Sequence, residues 1–113
     1  MSAVNGVADF ANKGVKLTGL VGSKTITATS TPGGFTAGLT VGLTYGTATQ
    51  LGVSAATVSA TNRVAFSAQP TVTVLDVSGN KVDNATNTIS ASVTSANAAD
   101  VTLGGTTSGA AST

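Results

Sequence analysis

The chain has no cysteine, histidine, tryptophan or glutamate among its 113 residues. Without cysteine there is no disulfide framework and no thiolate to bind metal or act as a nucleophile. Without histidine the commonest general base and zinc ligand are gone. The acids are Asp9, Asp76, Asp83 and Asp100; the bases are Lys13, Lys16, Lys24, Lys81 and Arg63, and all are scattered singly. Charged residues make up 8% of the chain, against roughly 25% in ordinary soluble domains. No basic run exists to neutralise phosphates, so nucleic acid is not an expected partner. No apolar run approaches the ~18 residues of a membrane span. The N-terminus, Met1-Ser2-Ala3-Val4-Asn5, has neither the basic nor the apolar part of a signal peptide, so the expected form is a mature chain or a recombinant piece. With the usual nucleophile–base pairs missing, the chain is not expected to be an enzyme and no cofactor is expected.

Alanine, threonine, serine, glycine and valine fill the space. Such a hydroxyl-rich, nearly uncharged surface changes little with pH near neutrality and fits a structural protein at the cell surface or outside it. The patterning is period two and β-branched, the signature of strands. Strands are expected at residues 7–10 after an Asn5-Gly6 turn, at 15–17, at 24–29, at 35–44, at 49–54, at 71–75, at 89–94 and at 101–103. Residues 106–113 read as a flexible end or as a strand that needs a partner. The longest candidate aligns Phe35, Ala37, Leu39, Val41 and Leu43 on one face; another sets Val72 and Val74 inward. Glycine and β-branched residues are too frequent for a helix. About seven short strands separated by turns predict an all-β sandwich, with Phe10, Phe35 and Phe66 in its core.

Several motifs carry a family resemblance. Ala65-Phe66-Ser67-Ala68-Gln69-Pro70 is followed by Val72-Thr73-Val74-Leu75-Asp76-Val77-Ser78-Gly79-Asn80-Lys81-Val82, then by Ile89-Ser90-Ala91-Ser92-Val93 and Leu103-Gly104-Gly105-Thr106-Thr107. This stretch resembles the opening of the immunoglobulin-like repeats of bacterial surface proteins and adhesins. Val4-Asn5-Gly6-Val7-Ala8-Asp9-Phe10, Leu17-Thr18-Gly19-Leu20 and Gly22-Ser23-Lys24-Thr25-Ile26-Thr27-Ala28-Thr29-Ser30 are similar to the closing part of the same repeat. Lys24 stands where that family often has tyrosine, so a tyrosine-corner hydrogen bond is not implied. Residues 2–45 thus look like the C-terminal half of a repeat and residues 46–113 like the N-terminal half of the next.

The resemblance implies first and last strands that run parallel, so that the chain enters such a sandwich at one pole and leaves at the other. Here the last strand runs into the first through roughly four residues, which reach at most ~14 Å. A seven-residue strand is ~24 Å long, and the connection would have to travel back along it. Closure of one chain on itself is therefore disfavoured. The implied product is a composite in which residues 46–113 of one copy pair with residues 2–45 of the next, a head-to-tail homopolymer. Thr44, Tyr45, Gly46 and Thr47 would form the junction between successive composites; Leu39, Val41, Leu43, Leu51 and Val53 would lie on the interface strands. Tyr45 would pack between successive composites. Two other readings stand beside the filament: an out-of-phase fragment of a repetitive adhesin stalk, and a phage or virus Ig-like surface domain. A receptor or carbohydrate partner is not specified by any motif.

The remaining motifs have simpler accounts. Asp76, Ser78, Asn80 and Asp83 could offer oxygens to calcium, but a hairpin turn capped by its own Asp and Asn explains them as well, and no metal site is expected. A Lys16 or Lys24 cross-link to Asn80 or Asn84, with Asp76 as proton carrier, would suit a fibre, yet solvated lysines are the simpler reading. Asn84-Ala85-Thr86 matches a glycosylation sequon by composition alone. Gly33-Gly34 and Gly104-Gly105 read as turns, because no helix follows to hold a phosphate.

Overall fold

A computed structural model of the chain describes residues 1–54, 58–94 and 98–112. The chain is all-β. Its strands are β1 (Gly22–Thr29), β2 (Thr36–Leu43), β3 (Ala48–Val53), β4 (Val72–Asp76), β5 (Thr88–Ser90) and β6 (Ser108–Ala110), with one 3-10 turn at Ala98–Asp100. They form three antiparallel pairs, β1–β2, β3–β4 and β5–β6. The chain divides into two compact units, Met1–Leu43 and Thr44–Thr113.

In the first unit, β1 and β2 form a hairpin whose register sorts the side chains by chemistry. Ile26 faces Leu39, Ala28 faces Ala37, Lys24 faces Val41 and Gly22 faces Leu43. The alternate pairs are Thr25–Thr40, Thr27–Gly38, Thr29–Thr36 and Ser23–Gly42. Since directly opposed residues share a face, one side of the hairpin is apolar apart from Lys24 and the other carries only hydroxyls and glycine. The connecting loop is closed by Ser30, whose backbone N–H donates to the Phe35 carbonyl (2.8 Å) and whose Oγ accepts from the Phe35 N–H (3.0 Å). Gly33 has φ 108°, a backbone shape that favours glycine; a Cβ there would also meet the exposed Phe35 ring at 2.7 Å and turn it aside.

In the second unit, Leu51 faces Val74 and Val53 faces Val72, with a bulge between Ala48 and Gln50. Past β4 the chain turns at Asp76 and returns along the other edge: Val82 N–H donates to the Val74 carbonyl (3.0 Å), and Leu75 bridges to Lys81. Val74 and Val82, 6% and 7% exposed, are the buried apolar residues among those described. On the opposite face Leu75 lies over Gly52, 2.9 Å from where a Cβ would stand. Replacing Val74 with alanine removes two methyl groups from this small core and is expected to destabilise the second unit by about 2 kcal/mol. Denaturant titration checks this; a change under about 0.5 kcal/mol, the usual range for surface substitutions, would refute the core assignment.

Several sequence expectations are corrected. Six strands are present among the described residues, against about seven expected. Residues 7–10 form no strand beyond a Val4–Val7 bridge, and residues 15–17 are irregular. The break is at Asn12 and Gly14, both in the left-handed region (φ 58° and 67°). Residues 101–103 are also irregular, before a left-handed Gly105. The strand expected over 89–94 is the shorter β5, although Ala91 N–H still reaches the Thr107 carbonyl (2.8 Å). The glycine-rich end finds a partner: β6 pairs with β5. Phe10 and Phe35 are not core residues of this chain, being 55% and 77% exposed; Phe66 is half-buried. Val72, expected to point inward with Val74, is 38% exposed.

Candidate assembly site

Residues 44–47, the expected junction, lead into β3 without regular secondary structure. Thr44, Gly46 and Thr47 are exposed and Tyr45 is half-buried. Gly46 is anchored from afar: its N–H donates to Asp76 Oδ2 at 2.8 Å. Asp76 is the polar centre of the second unit. Its Oδ1 accepts from the N–H groups of Ser78 and Asn80, both at 2.9 Å, and the Asn80 amide reaches both carboxylate oxygens, at 3.2 and 2.9 Å. Its backbone takes part too: Gly79 N–H (3.0 Å) and the Gln50 side-chain amide (2.6 Å) both donate to the Asp76 carbonyl. Gly79 has φ 84°, as the tight return of the chain requires. One aspartate thus ties together the junction, β3, the end of β4 and the following turn.

These bonds set the chemistry of Asp76. The Gly46 N–H and the Asn80 side chain, then the Asn80 and Ser78 N–H groups, favour the carboxylate; burial opposes them and loses, so the pKa falls from 3.8 to about 2. Only 4% of Asp76 and 5% of Asn80 are exposed. A carboxylate depressed in the folded state stabilises fully above its unfolded pKa and loses that contribution as pH falls through the folded value. The second unit is therefore expected to keep its stability down to pH 3.8 and lose the Asp76 contribution between there and about pH 2. Acid titration followed through the Gly46 amide resonance tests this; a midpoint at the ordinary aspartate value would refute it.

The same bonds account for the oxygen-rich turn. The carboxylate oxygens of Asp76 are engaged by N–H donors, while Asp83 pairs with Lys81 at 2.9 Å on the exposed surface. Asp76, Ser78 and Asn80 thus form a capped turn, with Asp83 outside that hydrogen-bond set; no group of three or more His, Cys, Asp or Glu side chains that could hold a metal ion occurs among the described residues. The same donors hold Asp76 as a carboxylate.

The expected interface residues fall on two apolar faces. Leu39, Val41 and Leu43 share the apolar face of β1–β2; Leu39 is 62% exposed and the other two are half-buried. Leu51 and Val53, 54% and 58% exposed, share a face of β3–β4 with Val72 and Val74. The alternation along the sequence puts Leu39, Val41 and Leu43 on one face, as the register has them, but gives no sign of the Asp76–Gly46 bond, which spans 30 positions and has no local signature. No protein family, curated protein or solved structure matches the chain. No helix among the described residues is long and apolar enough to cross a membrane.

Proposed function

We propose that this protein is a structural subunit, not an enzyme, that completes an Ig-like β-sandwich with other copies of itself. Residues 46–113 of one copy take residues 2–45 of the next, and repetition of that contact builds a head-to-tail filament at or outside the cell surface. The observation that carries this reading is the apolar faces of β1–β2 and β3–β4, sorted by register yet left open at Leu39, Leu51 and Val53. Two-stranded sheets are marginal in water unless such a face is covered, and each also offers unpaired edges to another chain. Covering both faces at once gives an obligate, core-like interface. The resemblance to bacterial Ig-like repeats in permuted order supports the same pairing.

Negative-stain electron microscopy of protein refolded at several concentrations tests the proposal. Uniform thin fibres whose growth rises with concentration are expected. Compact single particles at every concentration would overturn it, and a reciprocal dimer would limit the pairing to two chains. Irregular aggregates would favour the adhesin-fragment reading.

A further inference from the structure

We propose that Asn5 is a site of spontaneous covalent modification. The Gly6 backbone nitrogen attacks the Asn5 side-chain carbonyl carbon, forming a ring C–N bond; the bond from that carbon to the side-chain nitrogen breaks, and the nitrogen leaves as ammonia with the Gly6 amide proton. Water then opens the succinimide at either carbonyl, giving aspartate or isoaspartate. No oxidant or reductant is involved. Asn5 is the one asparagine followed by glycine, so no β-carbon crowds the attacking nitrogen. Asn5 and Gly6 are exposed and left-handed (φ 50° and 81°), and nothing lies within 4 Å of a Cβ built on Gly6. The turn is closed by reciprocal bonds between Val4 and Val7, 2.9 and 3.1 Å, which use those two amides and leave the Gly6 N–H out.

Asn62 sits in a similar turn, closed by the Val64 N–H on the Thr61 carbonyl (3.0 Å), but the residue after it is Arg63, whose side chain crowds the attacking nitrogen. The other turn asparagines differ in the bonding of the next amide. After Asn12, the Lys13 N–H is bound to the Phe10 carbonyl (3.1 Å); after Asn84, the Ala85 N–H is bound to the Val82 carbonyl (3.1 Å). Asn80 is buried, with its amide held by Asp76. Hydrolysis at Asn5 adds one negative charge and takes the formal net charge from +1 to 0. Isoaspartate also lengthens the backbone of a two-residue turn, which breaks the Val4–Val7 pairing.

The test is to warm the full-length protein at mildly alkaline pH and follow it by peptide mapping and enzymatic isoaspartate labelling. The Asn5 peptide is expected to gain the mass of an amide-to-acid exchange ahead of every other asparagine, with isoaspartate among its products, and Gly6→Ala is expected to abolish the isoaspartate over the same time course. Conversion at Asn5 no faster than at Asn12 and Asn84 in the same digest would overturn the proposal, independently of whether Gly6→Ala folds. A product of aspartate alone would also overturn it, because direct hydrolysis does not pass through the ring.

Discussion

Under the filament proposal, Leu39→Asp is expected to abolish fibre growth. Leu39 lies opposite Ile26 in the apolar face and is 62% exposed in the single chain, so before assembly a charge there meets water rather than a core. In the proposed composite the same position would be covered, and an unpaired carboxylate would be buried against the partner copy. A penalty of about 4 kcal/mol is expected, roughly a thousandfold in the association constant. Thr40→Asp is the control. Thr40 opposes Thr25 on the hydroxyl face, which stays wet in a two-layer sandwich, so its fibres should form as in the wild type. Sedimentation velocity and microscopy on both variants decide the matter. Equal assembly by the two would mean that the apolar face is not the contact; equal failure would mean that any charge on this hairpin is disruptive.

Asp76→Ala is expected to release residues 44–47 from the end of β4 and the turn that follows it. The substitution removes one acceptor shared by the N–H groups of Gly46, Ser78 and Asn80 and by the buried Asn80 amide. Hydrogen bonds to a charged acceptor are among the stronger ones, and leaving buried donors unsatisfied costs more than the bonds contribute. Amide exchange at Gly46 and Asn80 is expected to quicken by at least about tenfold. Asp76→Asn should fare little better, since its NH2 group presents donors to donors on one side. Protection unchanged in both variants would show that β3 and the turn hold themselves without the aspartate. Under the filament proposal the same release gives fibres of irregular stiffness, because Gly46 lies in the link between successive composites.

Much of this architecture is legible along the chain because alternation is a local signal. The run from Lys24 to Thr29 and that from Thr36 to Leu43 carry their apolar residues at every second position, and the two strands form where that pattern is unbroken. The Asp76–Asn80 turn is likewise announced by its own residue types. What was misread is non-local. Val7, Phe10, Val15 and Leu17 have strand-like character, but without a partner on the second side the left-handed Asn12 and Gly14 end any ladder. Val101 and Leu103 fail in the same way beside Gly105. Ser108–Ala110, with no apolar pattern, becomes a strand because β5 lends it an edge. The Gly46 anchor was invisible because a glycine amide has no residue-type signature.

Tyr45 gives the molecule a built-in optical probe. It is the chain's one tyrosine, no tryptophan is present, and it is half-buried beside the anchored Gly46. Tyrosine emission and nearly all long-wavelength ultraviolet absorption therefore arise at a single position between the two units' strands β2 and β3 in the sequence. A change in its spectrum on dilution, acidification or assembly reports on that link alone, with no label attached and no background from the remaining 112 residues.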